Sequence, residues 1–95
     1  MATVLVDGEN VRRSLWPNIG RDELEQRAGA WGRDRGHDVV VVWEGAETAD
    51  DVIARRVTEL PQPLWVVTSD RELRERVADR VERIVGGGSF ARQLP

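Results

Sequence analysis

Three apolar runs punctuate the chain: Thr3 to Val6, Val39 to Trp43 and Leu64 to Val67. They are continuous rather than alternating and rich in β-branched residues, the pattern of strands buried on both faces. Between them the pattern turns helical. A short helix over Asn10 to Leu15 is stopped by Pro17. A second starts at Asp22, with Glu25 as capping-box partner and Gly36 closing its far end. Its apolar stripe is thin: Leu24, Ala28 and Trp31. Thr48-Ala49-Asp50-Asp51 opens a third helix, whose period is carried by Val52, Ile53, Arg56, Val57 and Leu60 before Pro61 and Pro63 end it. Ser69-Asp70 opens a fourth, carrying Leu73, Val77 and Ala78. A last strand over Glu82 to Val85, charged enough for a sheet edge, leads into Gly86-Gly87-Gly88 and a short helix capped by Ser89.

Strands alternating with helices predict an α/β fold, a three-layer α/β/α sandwich around a small, mainly parallel four-stranded sheet. The 95 residues suit a single domain spanning 1–95, without repeat or linker. A leader sequence and an apolar run of about 18 residues are both lacking, so a soluble, cytoplasmic protein without membrane contact is expected.

Composition narrows the chemistry. All 14 basic side chains are arginine, cysteine is absent, and His37 is the one histidine. Phosphate-loop lysines, Schiff bases, thiol nucleophiles and thiolate zinc sites are thereby excluded. The formal net charge of −3 argues against a broadly basic nucleic-acid surface. Ser–His–Asp catalysis stays formally open but would depend on His37 alone, so the chemistry rests mainly on the 17 carboxylates and the arginines, with room for a metal ion.

The carboxylates fall where that chemistry is useful. In an open α/β sheet, ligands bind beyond the carboxyl ends of the strands. Asp7 follows the first strand, Asp50 and Asp51 follow the second, and Asp70 and Glu72 follow the third. Carboxylates crowded on one rim repel one another unless a cation intervenes, and oxygen-only ligation points to Mg²⁺ or Mn²⁺. Taken singly, Asp50, Asp51, Asp70 and Glu72 are also explained by the preference of acids for helix N-termini, and Asp51 completes a capping box with Thr48. Arg71 and Arg74 stand in the first turn beside Asp70, where they could hold phosphates bidentately. Trp31, Trp65 and His37 read as structural, and Trp16 and Trp43 as residues at the core edge.

Three segments in order carry a family resemblance: Val6-Asp7-Gly8-Glu9-Asn10-Val11, Thr48-Ala49-Asp50-Asp51-Val52-Ile53 and Val66-Val67-Thr68-Ser69-Asp70-Arg71-Glu72-Leu73. Together with Val42-Trp43-Glu44-Gly45 and Val85-Gly86 to Phe90, they resemble an NYN domain of the PIN-like nuclease superfamily, closest to the YacP-like branch. That resemblance implies a metal-dependent endoribonuclease acting on single-stranded RNA, with mRNA on the ribosome as one setting. It implies Asp7, Asp50 and Asp70 as acidic ligands, Glu72 as a further ligand and Asn10 orienting Asp7 or the substrate. Arg12, Arg71 and Arg74 would grip flanking phosphates. The chain departs from the family at Glu9, where an aromatic is common, and at Glu44, where Asp is common. The segment between the second strand and the Thr48 helix is also cut to a few residues, so a further strand is missing. A trimmed domain of this size points to a homodimer. Two other readings stand beside the nuclease: a non-catalytic RNA-binding or ribosome-associated module, and an aspartyl phosphotransferase with Asp7 as nucleophile. The absent lysine counts against the latter.

Overall fold

The apolar runs become four strands in the computed structural model, which describes residues 1–95. Thr3–Asp7 (β1), Asp38–Val42 (β2), Leu64–Val67 (β3) and Arg83–Val85 (β4) form one sheet in the order β2-β1-β3-β4. Every neighbouring pair is parallel, so the sheet is wholly rather than mainly parallel. The charged last strand takes an edge, as expected. Five helices connect and flank the strands: Gly8–Arg13 (α1), Arg21–Arg35 (α2), Ala49–Glu59 (α3), Arg71–Val77 (α4) and Gly87–Ala91 (α5), with a 3₁₀ turn at Ala78–Arg80.

Alternation along the strands divides the core into two layers. Val4, Val6 and Val67 pack with Val11 of α1, Leu24, Ala28 and Trp31 of α2, and Phe90 of α5. On the other side Leu5, Val42, Leu64 and Val66 pack with Ile53 and Val57 of α3 and Leu73 and Val77 of α4. Each wholly buried Val, Leu, Ile or Phe contributes about 1.5–3 kcal/mol, and the continuous valine runs exist because both faces are covered. No helix is long and apolar enough to cross a membrane.

Several helix ends differ from expectation. α1 begins at Gly8, directly after β1, so Asp7 stands at its N-cap position, yet its side chain makes no cap hydrogen bond. α2 begins at Arg21 after extended Gly20, and no side chain caps it. The Asp22–Glu25 capping box is therefore not used; Asp22 lies inside the first turn, where its charge still favours the helix dipole. At the far end Gly36 adopts φ 73°, a left-handed cap that its missing Cβ permits. α5 starts at Gly87, which leaves Ser89 within the helix rather than capping it. Thr48 and Asp70 do cap, accepting from the backbone N–H groups of Asp51 and Leu73 at 3.1 Å each.

The aromatic residues divide differently from the core-edge expectation. Trp43 is partly buried, with Arg21 over its ring at 5.0 Å, and so close to Gly8 that a Cβ there would lie 2.6 Å from the indole. Trp16, by contrast, is 92% exposed and packs on no core. His37 is structural, as expected, through a hydrogen bond and ring contacts. Its Nδ1 accepts a hydrogen bond from the Ala2 backbone N–H at 3.0 Å, and its ring lies 4.5 Å from that of Trp65 and 5.7 Å from that of Trp31.

Candidate functional site

The chain steps from β1 outward to β2, then returns to place β3 on the other side of β1. The order reverses between β1 and β3, and a crevice opens there beyond the carboxyl ends of the strands. At that end lies a cleft of about 220 Å³ lined by Asp7, Glu9, Asn10, Arg13, Glu44, Thr48, Asp50 and Asp70, with no hydrophobic residue. Five carboxylates face one arginine across it.

Asp7 is the buried member, 6% exposed. Its Oδ2 accepts from the hydroxyl of wholly buried Thr68 at 2.9 Å. The same Thr68 oxygen accepts from the Asp70 backbone N–H at 3.1 Å. One hydroxyl thus joins the end of β1 to the start of α4. Asp70 uses Oδ1 as the α4 cap. Asn10 forms a second tie: its Oδ1 accepts from the Ser69 N–H at 2.9 Å, while Ser69 Oγ accepts from the Gly87 N–H at 2.8 Å. A Cβ at Gly87 would run into the Asn10 amide oxygen and push it aside.

Electrostatics reflect the crowding. Burial pushes the Asp7 carboxyl above its ordinary value, opposed by the Thr68 hydrogen bond and reinforced by the negative charges of Asp50 and Glu44. Asp50 is likewise raised, by burial and then by repulsion from Asp70 and Glu44, with Arg76 pulling the other way. Like charges held together at a partly buried site repel one another, a repulsion that a nearby cation would relieve. No set of three or more of these carboxylates is gathered tightly enough to form a ready coordination shell.

The structure separates the sequence candidates. Asp7, Asn10, Asp50 and Asp70 share the cleft. Asp51, though adjacent to Asp50, turns out of it, its Oδ1 accepting from Arg76 Nη1 at 3.1 Å. Glu72 is exposed in the first turn of α4 and does not line the cleft either. Arg12 is engaged elsewhere: Nη1 donates to the Ile19 carbonyl at 3.2 Å, and Nε faces Glu9 at 3.5 Å without a hydrogen bond. Arg71 and Arg74 line a separate, larger cleft with Ser69, Glu75, Ala78 and Ile84.

Four contributors escape the sequence reading. Arg13 lies three residues after Asn10, the spacing that puts both on one side of α1. Glu44 comes directly after the Val39–Trp43 run and just beyond β2, so strand-end counting finds it. Glu9 has the signal of its first-turn position alone. Thr68 has none, since its value depends on a partner 61 residues away. No protein-family model matches the sequence, and no curated protein or solved structure matches it either.

Proposed function

We propose that the chain is a metal-dependent endoribonuclease of the NYN kind that cleaves single-stranded RNA in the cytoplasm, with mRNA on the ribosome as the setting its YacP-like resemblance implies. One observation supports this above the others. Asp7, Asp50 and Asp70, each placed by a different strand end, line one polar cleft together with Glu44 and Asn10.

The donor set is oxygen alone, which suits Mg²⁺ or Mn²⁺. Asp7, Asp50 and Asp70 would hold the ion, with Glu44 beside them; Mg²⁺ keeps several of its waters, so carboxylates spaced more widely than a tight shell remain useful. When bound, such an ion stabilises the charge of phosphodiester hydrolysis and activates water. The chain's own residues supply the framework. Thr68 fixes the Asp7 carboxylate relative to Asp70, and Asn10 fixes the Ser69 backbone from which Asp70 projects. Arg13 is the lining cation available to an RNA phosphate. Ser69 also borders the cleft of Arg71 and Arg74, so a strand leaving the acidic cleft past Ser69 would meet two further guanidinium groups.

Cleavage of single-stranded RNA with Mn²⁺, comparing wild type with Asp70→Asn, tests the proposal. Asn remains a good N-cap, so the variant keeps its helix. Metal-dependent cutting that survives the substitution unchanged would sink the assignment. The lack of a preformed three-carboxylate shell favours one second reading, an RNA-binding module without turnover. RNA that is bound but left intact at every Mn²⁺ concentration decides for it.

A further inference from the structure

β2 is a central strand by sequence and an edge strand by position. It pairs with β1 alone, and its far side is open. The Asp38 backbone N–H donates to Ala2 C=O at 3.0 Å, and the register sets Asp38, Val40 and Val42 opposite Thr3, Leu5 and Asp7. In a parallel ladder this spends the backbone groups of Asp38, Val40 and Val42 on β1 and turns those of Val39 and Val41 outward. None of the backbone hydrogen bonds outside the ladders uses Val39 or Val41. The usual defences of an edge are missing too: four consecutive valines carry no proline and no lysine, and Asp38 is the one charge. Val39 and Val41 pack against the layer under α2, and Val42 joins the layer under α3. Val40 belongs to neither and is 39% exposed.

The geometry points to a second copy of this chain as the occupant, its β2 added antiparallel about a two-fold axis through Val40. That register sets Val39 against the partner's Val41 and Val41 against the partner's Val39, both as hydrogen-bonded pairs, so the outward N–H and C=O groups of both residues are satisfied. Val40 then meets the partner's Val40 in the close, non-hydrogen-bonded position, where two exposed apolar side chains cover each other. Asp38 falls opposite the partner's Val42 rather than another Asp38. Asp38, the one charge of the strand, sits at its amino end and so avoids its own copy. Parallel addition would set like ends together. This self-complementarity selects the chain itself over an unrelated strand, and it leaves the two acidic clefts at opposite ends of a continuous sheet.

Sedimentation equilibrium from low micromolar to near-millimolar protein, with amide hydrogen exchange on the same samples, tests the proposal. The mass is expected to rise from one chain to two, and exchange at Val39 and Val41 to slow with concentration while that at Val40 and Val42 stays constant. Val40→Lys holds the chain at one mass by placing like charges on the axis. An equimolar mixture of Val40→Lys and Val40→Glu regains the dimer, because position 40 faces itself. A wild-type chain of single mass at every concentration overturns the proposal, whatever else then occupies the edge. So does a dimer that persists in Val40→Lys, or one that leaves Val39 and Val41 exchanging freely. Should Val40→Lys fail to fold by circular dichroism, the wild-type exchange pattern decides alone.

Discussion

Thr68→Val removes one hydroxyl and almost no volume, and it strikes the joint between two carboxylates. The Thr68 hydroxyl donates to Asp7 at 2.9 Å and accepts from the Asp70 N–H at 3.1 Å, at a position with no solvent exposure. A hydrogen bond to a charged group contributes about 1.5–3 kcal/mol, and an orphaned N–H costs about 1–3 kcal/mol. Asp70 is only partly buried, so the lower end applies to its N–H, and the sum is about 3 kcal/mol. At about 4–8 °C per kcal/mol for a domain of this size, Tm should fall by about 12–24 °C. Thr68→Ser keeps the hydroxyl and loses one methyl group, about 1 kcal/mol. Thermal unfolding by circular dichroism compares the two. The pH dependence adds a second constraint. The hydroxyl favours the ionised form of Asp7, so its removal raises that carboxyl further. The corresponding part of the penalty is present above the variant's folded pKa and is lost as pH falls below that of the wild type, leaving the Asp70 share. A Thr68→Val protein that melts within about 3 °C of Thr68→Ser at neutral pH would refute the joint.

Other expectations follow from the same geometry. Burial and repulsion raise Asp7 above its unfolded value of 3.8, so the charged form costs stability: nothing below that value, the full amount above the folded pKa. Asp7→Asn should therefore raise Tm at neutral pH without divalent ions, and the gain should close as pH falls toward 3.8. Phe90 is wholly buried on a five-residue helix, and Phe90→Ala should cost about 3–5 kcal/mol in urea unfolding. Gly87→Ala pushes the Asn10 amide from Ser69. Cleavage should fall by about 10-fold or more while the cleft carboxylates remain, as expected when a supporting contact is lost.

The sheet was legible because valine runs covered on both faces leave an unmistakable pattern, and the proline and glycine stops at Pro61 and Gly36 act locally. Caps were legible at Thr48 and Asp70, where the side chain serves its own helix. They were not at α2 or α5, where extended Gly20 and Gly86 precede the first turn and no side chain is needed. Strand-end reasoning places a residue at the right height but not on the right side. Asp50 and Asp51 have equal claims on a helix N-terminus, yet adjacent helical positions point about 100° apart, and only Asp50 faces the cleft. The same limit hid the placement of Glu72, Arg71 and Arg74, all on the first turns of α4. Thr68 and Asn10 act through residues 61 and 59 positions away, which no local pattern encodes.

That neighbouring pair also supplies the most direct measurement. Single-stranded RNA is incubated with Mn²⁺ and wild type, Asp50→Asn or Asp51→Asn under identical conditions, and initial rates of cleavage are compared. The two substitutions remove the same charge from the same helical turn, one inside the cleft and one paired with Arg76 outside it. Asp50→Asn is expected to lose about 100-fold or more, the scale of a lost electrostatic contact at a reacting centre, and Asp51→Asn to stay near wild type. Equal rates for all three proteins, or a larger loss in Asp51→Asn, would contradict the proposed site.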